Sequence, residues 1–369
     1  MATLTEPDAV SMDSQKLREI EELFKNQINM GLHPGAGLAV YRYGMLVLDL
    51  NDGLADSDSG RPVSDETMFV LFSSTKPIAA SCLYILKERG KLAWDDPVIK
   101  HWPKFGQHGK EAVTIRHILT HQGGFPETPK DLPWADWADW DKVVRAMEDA
   151  KPTYLAGEVL AYHPINFGWV IAELVRRIDG RPFNEFLAQE LTGPLGMNDT
   201  YVGLPKDLED RVSTIHLMED DADPNGYAAI FDRPEVHLCV VPGAGGIASA
   251  QGLARFYSMM ERGGTLDGVT VLRPETVKEV TRLEVEGIDA SLGQFARRSL
   301  GLALQDERMG SPGDKPNNTF GHGGAGTSVG WADPDSGLAV GYITNGFRGN
   351  DANIPRLTAI SQAIRDACK

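Results

Sequence analysis

Apolar residues recur along the first part of the chain at two different spacings. Over residues 14–29 they lie three or four positions apart, which predicts an amphipathic helix. The apolar positions of this helix are Leu17, Ile20, Phe24 and Ile28. Two runs rich in β-branched, leucine and aromatic residues follow, GAGLAVYRYG and MLVLDLNDG. Because they meet near Gly44, they predict a β-hairpin.

The pattern becomes mostly helical between residue 77 and about residue 240. Helical periodicity that ends near Gly or Pro occurs in AASCLYILKERG, WADWADWDKVVRAMEDA and FGWVIAELVRRIDG. Farther along, GLARFYSMMERGG predicts another helix. The segment GWADPDSGLAVGYITNG predicts two strands, divided by the turn residues Pro334, Asp335 and Gly337.

This order of elements predicts an α+β fold, an α/β sandwich in which one antiparallel sheet is built from both ends of the chain and flanked by helices. We expect a single domain over residues 1–369. Its sheet region comprises residues 1–76 and 240–369, and an inserted, mainly helical region comprises residues 77–239. The sequence contains no internal repeat and no low-complexity segment.

Composition narrows the classes of partner. The 36 basic residues are outnumbered by 52 acidic ones, a formal net charge of -16, so a polyanion is repelled and nucleic acid is not expected as a partner. The cysteines Cys82, Cys239 and Cys368 lie far apart without a CxxC motif, which indicates neither a disulfide framework nor a zinc site. We expect no metal ion and no organic cofactor.

The first residues, MATLTEPDAVSMDSQKLREI, lack a basic start followed by an apolar run, and no stretch is long enough to span a bilayer. We therefore expect a soluble cytoplasmic protein with no membrane partner, unless a signal peptide has been removed. Whether the protein is a monomer or a dimer is left open by the sequence.

One Ser-x-x-Lys tetrapeptide occurs in the chain, from Ser73 to Lys76, where a strand-like run meets a helical one. Residues three apart share a helix face, so the Lys76 amine can reach the Ser73 hydroxyl. A serine hydroxyl needs such a neighbour to accept its proton, and burial together with the helix N-terminus can lower the pKa of lysine enough for that role. Taken alone, however, the tetrapeptide is more often a capped and solvated helix start.

Longer stretches around this motif carry a family resemblance. DETMFVLFSSTKPIAA, GKLAWDDPVIKHWP, TIRHILTHQGGFP, FLAQELTGPLGMNDT and VVPGAGGIASAQGLARF occur in that order. From about Gly35 to Gly346 the sequence resembles the serine β-lactamase and penicillin-binding protein superfamily, and within it the family VIII carboxylesterases. The resemblance implies the fold of class C β-lactamases and an acyl-enzyme formed on Ser73.

The same resemblance implies two further site elements. The family's Tyr-x-Asn element corresponds to Tyr162-His163-Pro164, which makes Tyr162 a general base or proton relay and places Pro164 at the substrate. The sequence does not decide whether Lys76 or Tyr162 is the formal base.

The third element of the family, Lys-Thr-Gly or His-x-Gly, corresponds to His322-Gly323-Gly324, which are expected to bind substrate. The resemblance also implies an oxyanion hole formed by the backbone amides of Ser73 and Ala325. Without that resemblance, His322 would be taken for an ordinary turn residue.

A second serine motif competes with the first. Gly326 to Gly330 reads G-x-S-x-G, the pattern around the nucleophile of α/β-hydrolases, with Ser328 at its centre. That nucleophile requires a helix after the turn and a later histidine. Here a strand-like run follows and no histidine lies beyond His322, so Ser328 is not expected to be the nucleophile.

Two departures from the antibiotic-hydrolysing pattern favour an ester of a small or medium acyl group as the substrate. Pro164 replaces an asparagine that would bind an amide, and His322 replaces a lysine. The alternatives are a class C-like β-lactamase, a D-Ala-D-Ala peptidase, an acyltransferase on the same scaffold, and an inactive binding homologue.

Three tryptophans, Trp134, Trp137 and Trp140, recur at every third position. Either they form an aromatic wall near the site or they anchor a surface helix, and the second interpretation is favoured because aromatic residues commonly serve as packing anchors.

Overall fold

The computed structural model describes residues 3–219, 223, 225–310 and 317–369. In chain order the α-helices are Ser14–Asn29 (α1), Lys76–Glu88 (α2), Ile115–Leu119 (α3), Trp140–Asp149 (α4), Asn166–Asp179 (α5), Phe183–Leu187 (α6), Tyr227–Phe231 (α7), Pro234–His237 (α8), Ala250–Glu261 (α9), Pro274–Val280 (α10) and Asn350–Asp366 (α11).

The strands are Gly35–Arg42 (β1), Met45–Asp56 (β2), Arg61–Pro62 (β3), Phe69–Val70 (β4), Thr200–Val202 (β5), His216–Leu217 (β6), Gly246–Ala248 (β7), Thr265–Leu266 (β8), Val269–Thr270 (β9), Val285–Ile288 (β10), Phe295–Arg298 (β11), Ala303–Leu304 (β12), Phe320–Gly324 (β13), Ser328–Asp333 (β14), Leu338–Thr344 (β15) and Gly346–Phe347 (β16).

The main sheet joins the two ends of the chain. Its nine strands run in the order β10-β11-β12-β13-β14-β15-β1-β2-β3, and each neighbouring pair is antiparallel. The central contact pairs β1 with β15, with Val40 opposite Val340. Tyr43 (φ 53) and Gly44 (φ 82) form the turn of the predicted β1–β2 hairpin, since a two-residue loop of this kind needs positive φ at both positions.

Side chains alternate between the two faces of the sheet and so form two cores. Leu38 and Val40 belong to a core shared with α1 and α11, whereas Ala39 and Tyr41 belong to a larger core shared with α2, α5 and α9. A sheet with helices packed on both faces is the α+β sandwich predicted from the sequence, and the predicted fold class is confirmed.

The predicted helices lie where helices are observed, but one of them is shorter than the sequence predicted. The segment that begins at Trp134 was expected to be one helix, but α4 begins only at Trp140. A short 3-10 turn, Trp134–Asp136, precedes it, and the Asp139 side chain caps α4 by accepting from the amide of Lys142. Polar capping residues stop a helix from extending in the N-terminal direction, which explains the difference.

The region from 77 to 239 also contains the short strands β5 and β6. They pair with β7 and β16, outside that region.

None of the helices among the described residues is long and apolar enough to cross a membrane. Cys82 and Cys239 are buried free thiols, and Cys368 is a half-buried one.

We predict that Phe24→Ala destabilises the fold by about 3–5 kcal/mol, because the ring is fully buried between α1 and the sheet and its removal leaves a cavity. Chemical denaturation monitored by circular dichroism measures the change. Met30→Ala, at the exposed end of α1, is the control and should change stability by less than about 0.5 kcal/mol. Equal effects of the two substitutions would contradict the assignment of Phe24 to this core.

Candidate active site

Ser73 lies in a tight turn between a strand and a helix. β4 is followed by the 3-10 turn Phe72–Thr75, and α2 begins at Lys76. Ser73 therefore precedes the helix. The spacing of Ser73 and Lys76 had predicted that both residues lie within it. Phe72 has φ 47, a backbone conformation that costs a non-glycine residue roughly 1 kcal/mol or more. The surrounding packing must supply that energy.

Aromatic packing and buried hydrogen bonds hold this turn. The Phe72 ring lies 5.6 Å from the rings of Tyr227, Phe231 and Phe347. Behind the turn, the Ser74 hydroxyl donates to the carbonyl of His322 over 3.0 Å. These contacts attach the turn to the rest of the molecule and leave Ser73 8% exposed.

Ser328, the serine of the competing motif, supports the same turn. It starts β14, so a strand follows it and not a helix, and its hydroxyl donates to the carbonyl of Leu71 over 2.8 Å. Gly324 lies against the same carbonyl, where a Cβ atom would come within 2.2 Å of Leu71 O. Both residues therefore bring the end of β13 close to the serine turn.

Lys76 is fully buried beside Ser73. Its Nζ lies 3.2 Å from Ser73 Oγ, 2.8 Å from the carbonyl oxygen of Pro164 and 2.7 Å from that of Gly243. Burial lowers the pKa of Lys76 well below its usual 10.5, and the positive charge of Arg298 lowers it further. The two carbonyls accept from two N–H groups of the amine. In its neutral form the amine would have its lone pair left for the Ser73 hydroxyl.

The Tyr162 ring covers this amine. Lys76 Nζ lies 4.6 Å from its centroid, and a hydrogen bond joins the phenol to the Ser73 side chain. Burial raises the pKa of Tyr162 to about 12, although the hydrogen bond with Ser73 and the charge of Arg298 act in the opposite direction. The phenol is therefore protonated at neutral pH. The three residues predicted to act together do meet at one hydroxyl.

His322 and Gly323 line a cavity of about 180 Å³ together with Ser73, Tyr162 and Ala325. The His322 Nδ1 donates to the carbonyl of Gly323 over 2.8 Å, which leaves Nε2 as an acceptor with no partner among the described residues. Burial lowers the pKa of His322 well below 6.5, so the ring is neutral. Ala325 follows β13, next to Gly326, whose carbonyl accepts from Arg356 over 2.6 Å.

Pro164 contributes through its backbone. Its carbonyl accepts from the Lys76 amine, so the observed contact of this residue is with the amine.

The three tryptophans do not line the cavity that contains Ser73. The Trp137 ring packs 5.6 Å from those of Trp169 and Phe231, and Trp140 Nε1 donates to Glu173 over 2.8 Å. Trp137 and Trp140 therefore pack within the helical region, in agreement with the favoured interpretation.

Sequence reasoning missed a buried ion pair behind Tyr162. Asp289 is fully buried, and one of its oxygens accepts from the amide of Tyr162 over 3.0 Å and from that of Ser291 over 3.0 Å. Its other oxygen lies 3.6 Å from Arg298, whose guanidinium lies 5.3 Å from the centre of the Tyr162 ring. The pair fixes the tyrosine loop against the β10–β11 hairpin. No motif marks it, because Asp289 directly follows β10 and Arg298 ends β11, and neither lies near Tyr162 in the sequence.

His121 is a second support that the sequence did not reveal. Its ring lies 4.6 Å from the Tyr162 ring and stacks 4.9 Å from that of Phe167. Its Nδ1 accepts from the amide of His163 over 3.1 Å, and burial lowers the pKa of His121 well below 6.5. It lies within the segment TIRHILTHQGGFP that carries part of the resemblance, but nothing there indicates contact with Tyr162.

This arrangement, a serine hydroxyl between a buried amine and a phenol with a cavity in front of it, defines a serine hydrolase. Among the described residues, no group of three or more His, Cys, Asp or Glu side chains is placed to hold a metal ion.

The chain belongs to the Beta-lactamase family, whose model matches residues 20–364. It is 30% identical over 344 residues to the Esterase/beta-lactamase LipL of Mycobacterium tuberculosis (strain ATCC 25618 / H37Rv). The aligned region covers 84% of this chain and 77% of LipL. The family resemblance inferred from the sequence is confirmed.

Two solved structures share the fold over nearly all of the chain. A penicillin-binding protein homologue from Caulobacter crescentus is 31% identical with a TM-score of 0.86. A family VIII carboxylesterase is 29% identical with a TM-score of 0.87. Each comparison covers 96% of this chain and 98% of the other chain.

We predict that Asp289→Asn lowers stability by about 3 kcal/mol, because it leaves Arg298 buried without its counter-charge. It should also lower kcat by loosening the Tyr162 loop. Denaturation curves and steady-state kinetics measure the two effects. Asp267→Asn, which removes the partner of Arg255 at a side chain 59% exposed, is the matched control and should cost less than about 1 kcal/mol. If the two variants behave alike, the buried pair does not position Tyr162.

Proposed function

We propose that this protein is a carboxylesterase that hydrolyses esters of small or medium acyl groups through an acyl-enzyme on Ser73. The observation that carries the proposal is the fully buried Lys76 amine, whose Nζ contacts the carbonyls of Pro164 and Gly243 and the hydroxyl of Ser73. Because burial lowers the pKa of Lys76 well below 10.5, the amine loses its proton more readily than an exposed lysine and can then accept the proton of Ser73.

In the proposed first step, Ser73 Oγ attacks the ester carbonyl and its proton passes to Lys76 Nζ, which becomes an ammonium ion. The backbone amides of Ser73 and Ala325 receive the oxyanion, and each such donor typically contributes about 3 kcal/mol to transition-state stabilisation. The intermediate then collapses, the ester C–O bond breaks, and the leaving oxygen takes a proton from the Tyr162 phenol. The proton on Lys76 returns to the phenolate.

In the second half of the proposed cycle, water attacks the acyl group on Ser73. Its proton passes through Tyr162 and Lys76 to Ser73 Oγ as the acid departs. Tyr162 suits this relay because its phenol is protonated at neutral pH, hydrogen-bonded to Ser73 and placed over the amine. In this proposal Lys76 is the base of acylation and Tyr162 the relay.

Two observations support an ester over an amide substrate. An ester has the better leaving group and demands less of the general acid, which here is a phenol whose pKa is about 12. The neutral His322 also provides no fixed cation for the carboxylate of an antibiotic. The names of LipL and of the family VIII carboxylesterase agree with this choice.

A β-lactamase activity is the second candidate, because LipL is named both esterase and β-lactamase. Turnover of the chromogenic cephalosporin nitrocefin that greatly exceeds turnover of p-nitrophenyl esters would favour it. An acyltransferase activity, in which an alcohol instead of water accepts the acyl group from Ser73, stays an alternative prediction. A cytoplasmic location also stays a prediction.

We predict that Ser73→Ala lowers kcat for p-nitrophenyl butyrate by at least about 10³-fold, because no other group in the cavity replaces the nucleophile. Ser328→Ala is the matched control: it loosens the serine turn but should keep activity within about tenfold. Intact-mass spectrometry after treatment with a fluorophosphonate should find one adduct, and peptide mapping after digestion should locate it on the peptide that contains Ser73. Activity retained in Ser73→Ala and lost in Ser328→Ala would overturn the proposal.

We also predict that kcat/KM rises with pH as Lys76 loses its proton, with an apparent pKa well below 10.5. Arg298→Gln should move this rise to higher pH, because removing a nearby positive charge makes the ammonium form of Lys76 easier to form. Arg298→Lys keeps the charge and should leave the profile near its original place. Arg297→Gln, at a neighbouring residue paired with Glu286, is the control. An unmoved profile in Arg298→Gln would contradict the role given to Lys76.

A further inference from the structure

A second cavity adjoins the one that contains Ser73. The first has a volume of about 180 Å³ and the second about 410 Å³. The two share the residues Leu292, Gln294, Arg298, Ala303 and Arg308 in their walls. Cavities that hold drug-sized ligands generally measure about 300–1,000 Å³, so the first holds little more than the reacting group. A longer substrate must extend into the second.

The wall of the second cavity exposes apolar side chains to solvent. Leu292 is 48% exposed and Phe295 57% exposed, and both belong to the β10–β11 hairpin at the edge of the main sheet. Leu304 and Ile354 also line this cavity. Exposed apolar side chains gathered beside a reactive centre are typical of a surface that a ligand covers.

The two arginines shared by the cavities are already paired. Arg308 donates to both carboxylate oxygens of Asp306, over 2.7 and 2.6 Å, and Arg298 lies 3.6 Å from Asp289. Their charges are therefore largely compensated within the protein, and neither arginine is a free counter-ion for an anionic substrate. The wall of the second cavity also contains Arg297, which is paired with Glu286, and Glu307, whose negative charge disfavours an anionic arm.

We propose that the two cavities form one substrate cleft, in which Leu292 and Phe295 bind a neutral, extended apolar arm of the ester. The proposal rests on the proposed function, and it specifies the substrate class as neutral esters with a medium-length apolar arm instead of acetyl or anionic esters. The arm belongs either to the acyl group or to the alcohol, and both present the same chemistry to the cleft.

The test uses Leu292→Ala and Phe295→Ala, with Ile288→Ala as the matched control on the same hairpin. Ile288 is 65% exposed and lines neither of the two cavities. Since all three side chains are exposed, the substitutions should leave the fold intact, which thermal unfolding checks. Two ester series are compared: p-nitrophenyl esters from acetate to octanoate, and acetates of alcohols from ethanol to octanol.

In one of the two series, kcat/KM should rise with chain length in the unaltered enzyme. The ratio of kcat/KM for the eight-carbon substrate to kcat/KM for the two-carbon substrate should fall about fivefold in Leu292→Ala and in Phe295→Ala, because less apolar surface is buried around the chain. The same ratio should stay unchanged in Ile288→Ala. An effect in the first series assigns the arm to the acyl group, and an effect in the second to the alcohol. No change in either series would overturn the proposal, as would faster turnover of an equally long arm ending in a carboxylate.

A covalent probe separates this cleft from the proposed function. Ethyl and octyl p-nitrophenyl phosphonates label a reactive serine without requiring ester turnover. Faster labelling by the octyl probe, reduced about fivefold in Leu292→Ala, supports the cleft even if no ester is hydrolysed and the carboxylesterase assignment fails. Equal labelling by both probes in all variants overturns the cleft even if esters are turned over.

Discussion

The proposed active site depends on one buried amine. Lys76 lies in a protein interior that disfavours its charge, and the positive charge of Arg298 disfavours it further. Two carbonyl groups nevertheless give it fixed partners, so the amine is held in one position beside Ser73. The rest of the site is arranged around this contact.

The architecture explains how such an amine is held in place. The carbonyl of Pro164 belongs to the loop before α5, and that of Gly243 to the loop before β7, so the partners of Lys76 come from two distant parts of the chain. The serine turn is held from a third direction by β13 and β14 through His322, Gly324 and Ser328. Because β13 and β14 lie in the main sheet, the sheet built from both chain ends also positions Ser73, the proposed nucleophile.

Much of this could be predicted from the sequence, for identifiable reasons. Helix α1 and the β1–β2 hairpin follow from hydrophobic spacing, and the meeting of Ser73, Lys76 and Tyr162 follows from motifs that keep their order along the chain. The supports of Tyr162 could not be predicted. Asp289 and Arg298 lie far from Tyr162 in sequence and act through backbone and charge contacts, which leave no periodic signal. The cleft beside Leu292 likewise depends on how β11 and β12 meet at the sheet edge.

The most direct test of the central claim is the titration of Lys76 itself, followed by NMR of its Nζ in protein labelled with ¹⁵N-lysine and assigned by the signal missing in Lys76→Met. We predict a midpoint well below 10.5, with the amine neutral when the enzyme is active. A midpoint at or above 10.5 would mean that Lys76 is an ammonium ion throughout, and the proton of Ser73 would then have to leave by another route.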